Sequence, residues 1–335
     1  MATIKDIALR ANVSVATVSY VLNNTRPVHP EKKSRVLRAI EELNYVPNAS
    51  ARGLRARKTK TIGLVISDIT NPFYPDLAKG CQDAAQESDY TLMMYNTNDK
   101  NDQLGEMAKQ IREGKVDGLI LASIKQSDRE IVADLLKGPY PLVFAHRKLD
   151  GFDIDSVTSD NYQGAVAATE HLIMNGHKQI AFVDGVEGSS VTQERRRGYE
   201  TAMQNAELST WIVQGNGKYE SCYSEAIRIL KVPKSKRPTA IFASSDIMAF
   251  AVIDAVKDLN LSIQIDISIM GYDDLFFSAS RALELSTVRV PRYEIGRIAT
   301  EMLLERIQDD AKPKVKNIVL PTELVIRNTS GELSN

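Results

Sequence analysis

Cysteine is almost missing from this chain: Cys81 and Cys222 are the only two in 335 residues. They are too few for a disulfide framework and match no metal-ligand spacing, so they read as reduced thiols of a cytoplasmic protein. The four histidines, His29, His146, His171 and His177, form no metal constellation either. No uninterrupted apolar run approaches about 18 residues, which excludes a membrane-spanning helix. The charged start Met1-Ala-Thr-Ile-Lys-Asp-Ile7 has no apolar core for a signal peptide. A P-loop and a nucleophile elbow are absent. So is a glycine-rich dinucleotide turn, because the first apolar strand runs into Asp68-Ile-Thr-Asn-Pro72. Asp273-Asp274 is a pair of acids, but adjacent side chains at a strand end usually diverge. The expectation is no enzyme, no cofactor and no membrane role.

What is present is a strong asymmetry of charge. The apolar fraction of 43% and charged fraction of 25% are ordinary for a soluble globular protein. The formal net charge of -1 conceals 12 Lys/Arg against 4 Asp/Glu in residues 1–60, and 30 against 39 in the remainder. A basic head on an acidic body is the footprint of a nucleic-acid binder whose second part does something else, although a solvated basic face gives the same count. The length suits two or three domains.

The head reads as short helices. Thr3 is placed to cap the first, with Asp6 as an acidic near-equivalent of a capping-box glutamate, and Ile4, Ile7, Ala8 and Ala11 recur at helical spacing. Asn12-Val-Ser14 breaks the pattern, and Ser14 can cap a second helix to about Asn23. Two short helices joined by a three-residue turn make a helix-turn-helix. Pro30 opens a third, with Val36, Leu37, Ile40 and Leu43 as its expected inward stripe. On the second helix Val18, Val21 and Leu22 point inward, which leaves Val15, Ala16, Ser19, Tyr20 and Asn23 outward. That outward face is small, apolar and aromatic where a solvated face would carry Lys and Glu. Against a major groove, alanine and valine can pack on thymine methyls and Tyr20 can reach a base edge. A protein–protein helix face is the alternative.

Asn48-Ala-Ser-Ala-Arg-Gly-Leu-Arg-Ala56 closes the head. It is helix-like but shorter than the about 12–15 residues an isolated helix needs, and Gly53 weakens it further. Leu54 stands among Arg52, Arg55 and Arg57. Arginines for phosphates and one apolar wedge suit a minor groove; a basic linker is the bland alternative. Here Thr3-Ile-Lys-Asp-Ile-Ala8, Val13-Ser-Val-Ala-Thr-Val-Ser-Tyr-Val-Leu-Asn23 and Asn44-Tyr-Val-Pro-Asn-Ala-Ser-Ala-Arg-Gly-Leu54 closely resemble the headpiece of LacI/GalR-type bacterial transcription regulators. The resemblance runs over residues 1–60. It implies that positions 15, 16 and 20 face the major groove with Arg26 beside the DNA. It also implies a hinge helix inserting Leu54, next to Arg55, into the minor groove of a palindromic operator bound by a homodimer. Tyr20 lies at a position that varies among members, so the operator sequence does not transfer.

From Lys60 the texture becomes βαβ. Residues 61–66, 117–122, 141–145, 179–183, 239–243 and 267–271 read as buried parallel strands. Helical stretches at 75–88, 161–175, 195–206 and 246–259 separate them. The pattern predicts two doubly wound parallel-sheet subdomains with a ligand cleft beyond the strand carboxyl ends. Polar or aromatic residues follow most strands: Phe73-Tyr74, His146-Arg147, Asp160, Asp246 and Asp273. Aspartate accepts hydroxyl hydrogen bonds and arginine donates a rigid fork, which is how a polyol is recognised. A helix-start core role for the aromatics, and a cap or ion pair for any single charge, are the alternatives.

Asn71-Pro-Phe-Tyr74, Glu194-Arg-Arg-Arg-Gly-Tyr199, Ala243-Ser-Ser-Asp-Ile-Met-Ala249 and Met270-Gly-Tyr-Asp273 are similar to the effector domain of the same family, itself similar to periplasmic sugar-binding proteins. The resemblance implies effector contacts at Phe73, Tyr74, Arg147, Asp160, Arg195, Asp246 and Asp273, with Arg196 and Arg197 as register alternatives. It implies domains at 1–47 (helix-turn-helix), 48–60 (hinge), 61–160 plus 292–318, and 161–291 plus 319–330. Purine-responsive members carry an arginine and a threonine where Ser189 and Val191 stand here, which turns the expectation toward a sugar or sugar derivative. His146 replaces the aspartate of many sugar-responsive members. The expected function is a regulator, most simply a repressor, controlled by a small effector. A protein co-regulator and a solute-binding receptor are the rivals.

Overall fold

The computed structural model describes residues 2–23, 25–45, 59–308 and 314–333. It divides into two compact units, Met1–Thr59 and Lys60–Asn335. In the first unit, α1 (Ile4–Ala11) opens on the capping box read from Thr3 and Asp6. The Asp6 carboxylate accepts from Thr3 N–H at 2.7 Å, and Thr3 Oγ accepts from Asp6 N–H at 3.4 Å. Asn12 takes the left-handed conformation at φ 50° and ends the helix, a role asparagine fills more readily than most residues. Ser14 Oγ accepts from Thr17 N–H at 3.1 Å and starts α2 (Val15–Asn23). Pro30 occupies the first turn of α3 (Pro30–Glu42). Ile7, Ala8, Ala11, Val18, Val36 and Ala39 form the core of this unit. Leu37 departs from the expected stripe and is 47% exposed. Val36, Ala39 and Ile40 share one face, and residue 37 lies one 100° step around the helix from it.

The second unit holds a six-stranded parallel sheet in the order β11-β5-β4-β3-β1-β2. Its strands are β1 (Thr61–Ile66), β2 (Thr91–Asn96), β3 (Leu119–Leu121), β4 (Leu142–Ala145), β5 (Asp155–Ser159) and β11 (Asn317–Leu320). A four-stranded parallel sheet follows the order β7-β6-β8-β9, from β6 (Ile180–Asp184), β7 (Trp211–Gln214), β8 (Ala240–Ala243) and β9 (Ser268–Met270). An antiparallel pair joins β10 (Thr287–Arg289) to β12 (Glu323–Val325). The fold class is the one the sequence implied, a helical headpiece and a two-sheet α/β body. All four residues of β11 pair with β5, so the expected division between 318 and 319 falls inside a strand. β2 is a largely exposed edge strand, with Met93 and Met94 open to solvent, and lacks the buried apolar run that marked β1, β3, β4, β6, β8 and β9; β7 and β10 were not read from the sequence either.

The helices are α4 (Phe73–Glu87), α5 (Asn101–Arg112), α6 (Arg129–Leu135), α7 (Asn161–Met174), α8 (Ser190–Asn205), α9 (Tyr219–Leu230), α10 (Asp246–Asp258) and α11 (Arg292–Gln308). α4 and α11 cross in backbone contact. A Cβ on Gly80 would lie 2.0 Å from Tyr293 O, and one on Gly296 would lie 2.0 Å from Leu77 O. The Cys81 thiol donates to Gly296 O across this crossing at 3.3 Å. Burial pushes the Cys81 and Cys222 thiols up to about 12, which leaves them unreactive. One apolar core runs from Ile62 and Leu64 through Ala165 and Leu172 of α7 to Phe182, Phe242 and Met270, so both sheets share it. Among the described residues no helix is long and apolar enough to cross a membrane, and no group of His, Cys, Asp or Glu is placed to hold a metal ion.

Candidate functional site

In the body, the strand-end residues converge at the carboxyl ends of both sheets. α4 begins at Phe73, two residues earlier than its periodicity suggested, so Phe73 and Tyr74 are buried residues of its first turn. The Tyr74 hydroxyl accepts from Ser67 Oγ at 2.8 Å, and its ring meets Phe73 edge-on. Phe73 lies 4.2 Å from the His146 ring, centroid to centroid, and beneath the Arg292 guanidinium at 5.8 Å. Arg147 follows on from β4, buried, and donates to Asp99 Oδ1 at 2.8 Å and Ser123 O at 3.2 Å.

From the other sheet come Arg195, Asp273 and Asp246. α8 starts at Ser190, so Arg195 sits in its second turn and is the buried one of the three arginines. Arg195 is 3% exposed and donates to Asn161 Oδ1 at 3.0 Å and Ser244 O at 2.6 Å. Its guanidinium covers the Tyr272 ring at 3.6 Å. Arg196 pairs instead with Asp184 and Glu200, and Arg197 stacks on Tyr162. Arg195 Nη2 lies 3.1 Å from Asp273 Oδ1 in a charge contact without hydrogen-bond alignment, and both atoms stay without a hydrogen-bond partner. Asp273 adopts φ 118°, a conformation that strains a non-glycine residue. Burial raises its carboxyl above the usual range, against the pull of Arg195 and Arg292.

Two expected contacts are used otherwise. Asp246 is fully buried and its carboxylate is spent inside the fold: Oδ2 accepts from Leu275 N–H at 2.8 Å and Ser278 Oγ at 2.6 Å, and Oδ1 from Thr287 Oγ1 at 2.6 Å. It ties the segment after β9 to β10 and so places Asp273. Asp160 caps α7 by accepting from Gln163 N–H at 3.0 Å. It lines a separate cavity of about 240 Å³ with Lys148, Tyr162, Glu194 and Arg197.

The sequence reading missed Arg292, which is buried and donates to Asp273 O, and to Asp76 Oδ2 at 2.7 Å. A signal for it existed: a cation in the first turn of a helix opposes the macrodipole and needs another reason to be there. Asp99 and Asn161 were missed as well, because each lies on a loop or helix start with no pattern around it.

In the first unit, Val15 and Ala16 are exposed and Ser19 and Tyr20 half-buried, while Val18 is buried. Arg26 places its guanidinium 5.4 Å over the Tyr20 ring. The Asn23 side chain, and Leu54 and Arg55 with the rest of 46–58, lie outside the described residues.

Residues 3–48 match the bacterial regulatory proteins of the lacI family, and residues 59–328 match the periplasmic binding proteins and sugar binding domain of LacI family. The chain belongs to the LacI family. It is 37% identical to the HTH-type transcriptional repressor PurR of Aliivibrio fischeri (strain MJ11) over 312 residues, covering 92% of this chain and 93% of that one. It is 35% identical to the ribose operon repressor of Haemophilus influenzae, covering 98% of each. The lac repressor dimer bound to operator and the anti-inducer ONPF superposes with a TM-score of 0.86 at 25% identity, covering 98% of this chain and 99% of that one. The LacI family is one of regulators, not enzymes.

Proposed function

We propose that this LacI-family chain is a DNA-binding transcriptional repressor that acts as a homodimer on a palindromic operator and is controlled by a sugar or sugar derivative bound in the cleft. Val15, Ala16, Ser19, Tyr20 and Asn23, with Arg26, read the major groove, and Leu54 with Arg55 enters the minor groove. The observation that carries the effector reading is the buried charge contact of Arg195 Nη2 with Asp273 Oδ1, 3.1 Å apart without hydrogen-bond alignment, next to Arg292. A buried ion pair without hydrogen-bond alignment keeps hydrogen-bonding capacity that a ligand can take up. Adjacent hydroxyl groups do so.

A purine effector is the second reading, favoured by the name of the PurR relative. Against it stand Ser189 and Val191, both buried at the start of α8, where the valine offers no hydrogen bond to a purine edge. Titration calorimetry with D-ribose, cellobiose, hypoxanthine and guanine separates the two. Heat from a purine and none from either sugar refutes the sugar reading. Asp273→Ala is expected to abolish the response to effector while the protein still binds operator. Sedimentation measures the dimer.

A further inference from the structure

Two hydrogen bonds join the carboxyl ends of the two large sheets directly. Gln126 N–H donates to Gly188 O at 2.9 Å, and Lys148 N–H donates to Ser190 Oγ at 3.0 Å. Gln126 follows β3 and Lys148 follows β4, whereas Gly188 lies between β6 and α8 and Ser190 is the first residue of α8. Two separate segments of the six-stranded sheet therefore hold one short segment of the four-stranded sheet. Gly188 sits at φ 75°, where a side chain would be strained, and offers its carbonyl oxygen to Gln126. The arm that carries Gln126 is kept rigid by its own bonds. Asp128 is buried, its carboxylate accepts from Lys125 N–H at 2.9 Å, and its N–H donates to Lys125 O at 2.9 Å. The Lys125 ammonium donates to Asp99 O, and the Asp99 carboxylate accepts from Arg147. Arg147 directly precedes Lys148, and Arg195 stands on the turn of α8 after the one that Ser190 opens.

Building on the cleft reading above, we propose that these two bonds form a latch: they hold the cleft shut by themselves, and an effector enters or leaves only when they part. Both bonds run between protein atoms, so closure does not depend on contacts to an effector. When the sheets part, each group exchanges its partner for water, so each bond favours the closed form by about 5-fold and the pair by about 25-fold. A latch of that strength keeps the closed form dominant and still opens readily. It acts on rates more than on affinity. The closed form dominates with or without a ligand, so weakening one bond raises entry and release together and leaves their ratio nearly unchanged. A residue that touched the effector would instead change affinity, chiefly through release.

The test uses a cysteine pair in the full chain. A Cβ on Gly188 would lie 3.6 Å from Gln126 Cβ, within the span a disulfide needs, and the native thiols of Cys81 and Cys222 are buried. Gln126→Cys/Gly188→Cys is expected to cross-link under mild oxidation with no ligand added. In calorimetry the oxidised pair is expected to take up none of D-ribose, cellobiose, hypoxanthine and guanine, and the reduced pair to regain the binding of the parent chain. Ser190→Ala removes the other bond and keeps the helix start; with the compound that binds, stopped-flow association and dissociation rates are both expected to rise about 4-fold, with affinity within about 2-fold of the parent. Hydrogen exchange reads the latch in the unaltered chain: Gln126 is an exposed residue, yet its amide is expected to exchange about 25-fold more slowly than an unbonded one. No cross-link without ligand, together with free exchange at the Gln126 amide, overturns the latch. Full uptake by the oxidised pair, or a Ser190→Ala variant that loses affinity at unchanged entry rate, overturns the gating and leaves the cleft reading standing. Heat from none of the four compounds with the parent chain refutes the effector reading, while the cross-link and the protected amide still uphold the latch.

Discussion

Asp246→Asn isolates a fully buried acid beside Asp273. Burial, and then the neighbouring charge of Asp273, push the Asp246 carboxyl up to about 7, although hydrogen bonds from Ser278, Thr287 and Leu275 pull the other way. In the unfolded chain the same group titrates near about 3.9. Between these values the folded protein holds one proton that the unfolded chain has lost. Stability from this group is therefore fully present below about pH 4 and is lost as pH rises through about 7, at about 1.4 kcal/mol per pH unit. Over the window this amounts to about 4 kcal/mol at most, since relaxation of the fold reduces it. Asparagine copies the neutral acid. Its carbonyl oxygen accepts from Leu275 N–H and the Ser278 hydroxyl, and its NH₂ group donates to Thr287 Oγ1. The variant should therefore gain on the parent chain as pH rises. Urea unfolding of both proteins at about pH 5, 6 and 7 gives the difference directly. A difference that stays constant within about 0.5 kcal/mol over that range refutes the reasoning, because it means Asp246 is already ionised throughout.

Two further substitutions test other levels of the structure. Gly296→Ala places a methyl 2.0 Å from Leu77 O at the α4–α11 crossing, so the helices must part; a loss of about 2–4 kcal/mol is expected in urea unfolding, and a neutral result shows the crossing is not tight. Leu54→Ala is expected to weaken specific operator binding far more than non-specific binding in gel-shift titrations at fixed salt, and equal losses on both DNAs remove the wedge role.

Much of the fold was legible because its signals are local. The capping pair Thr3 and Asp6 and the turn at Asn12 are set by residues within one helical turn. The inner strands are runs of buried apolar residues, such as 61–66 and 240–243, and show as such. β2 was not visible because an edge strand has a solvent face and no long apolar run. The start of α8 at Ser190 was missed because its first turn, Ser-Val-Thr-Gln, carries little helical signal and its N-cap makes no side-chain hydrogen bond. Leu37 was misassigned because apolar character was counted without its angle around the helix.

At the site, strand-end position in the sequence pointed to Phe73, Tyr74, Arg147 and Asp273, and the family resemblance pointed to Arg195; the structure buries all five. Strand-end position did not distinguish which acid has its hydrogen bonds filled. Asp246 and Asp273 look alike as aspartates after strands, yet one has its acceptors filled by Leu275, Ser278 and Thr287 and the other's Oδ1 meets Arg195 without hydrogen-bond alignment. Arg292 comes from a helix more than 140 positions beyond His146, and only chain folding puts it over the Phe73 ring.

The sequence by itself determined what depends on short-range chemistry: a basic helix-turn-helix head, an acidic βαβ body and the residue types at the strand ends. Tertiary structure decided that Arg195 rather than Arg196 or Arg197 is buried, the strained backbone of His146 and Asp273, and which polar atoms lack a hydrogen bond. Those are properties of hydrogen-bond partners distant in the chain. A one-dimensional pattern carries no measure of whether a donor has already met its acceptor.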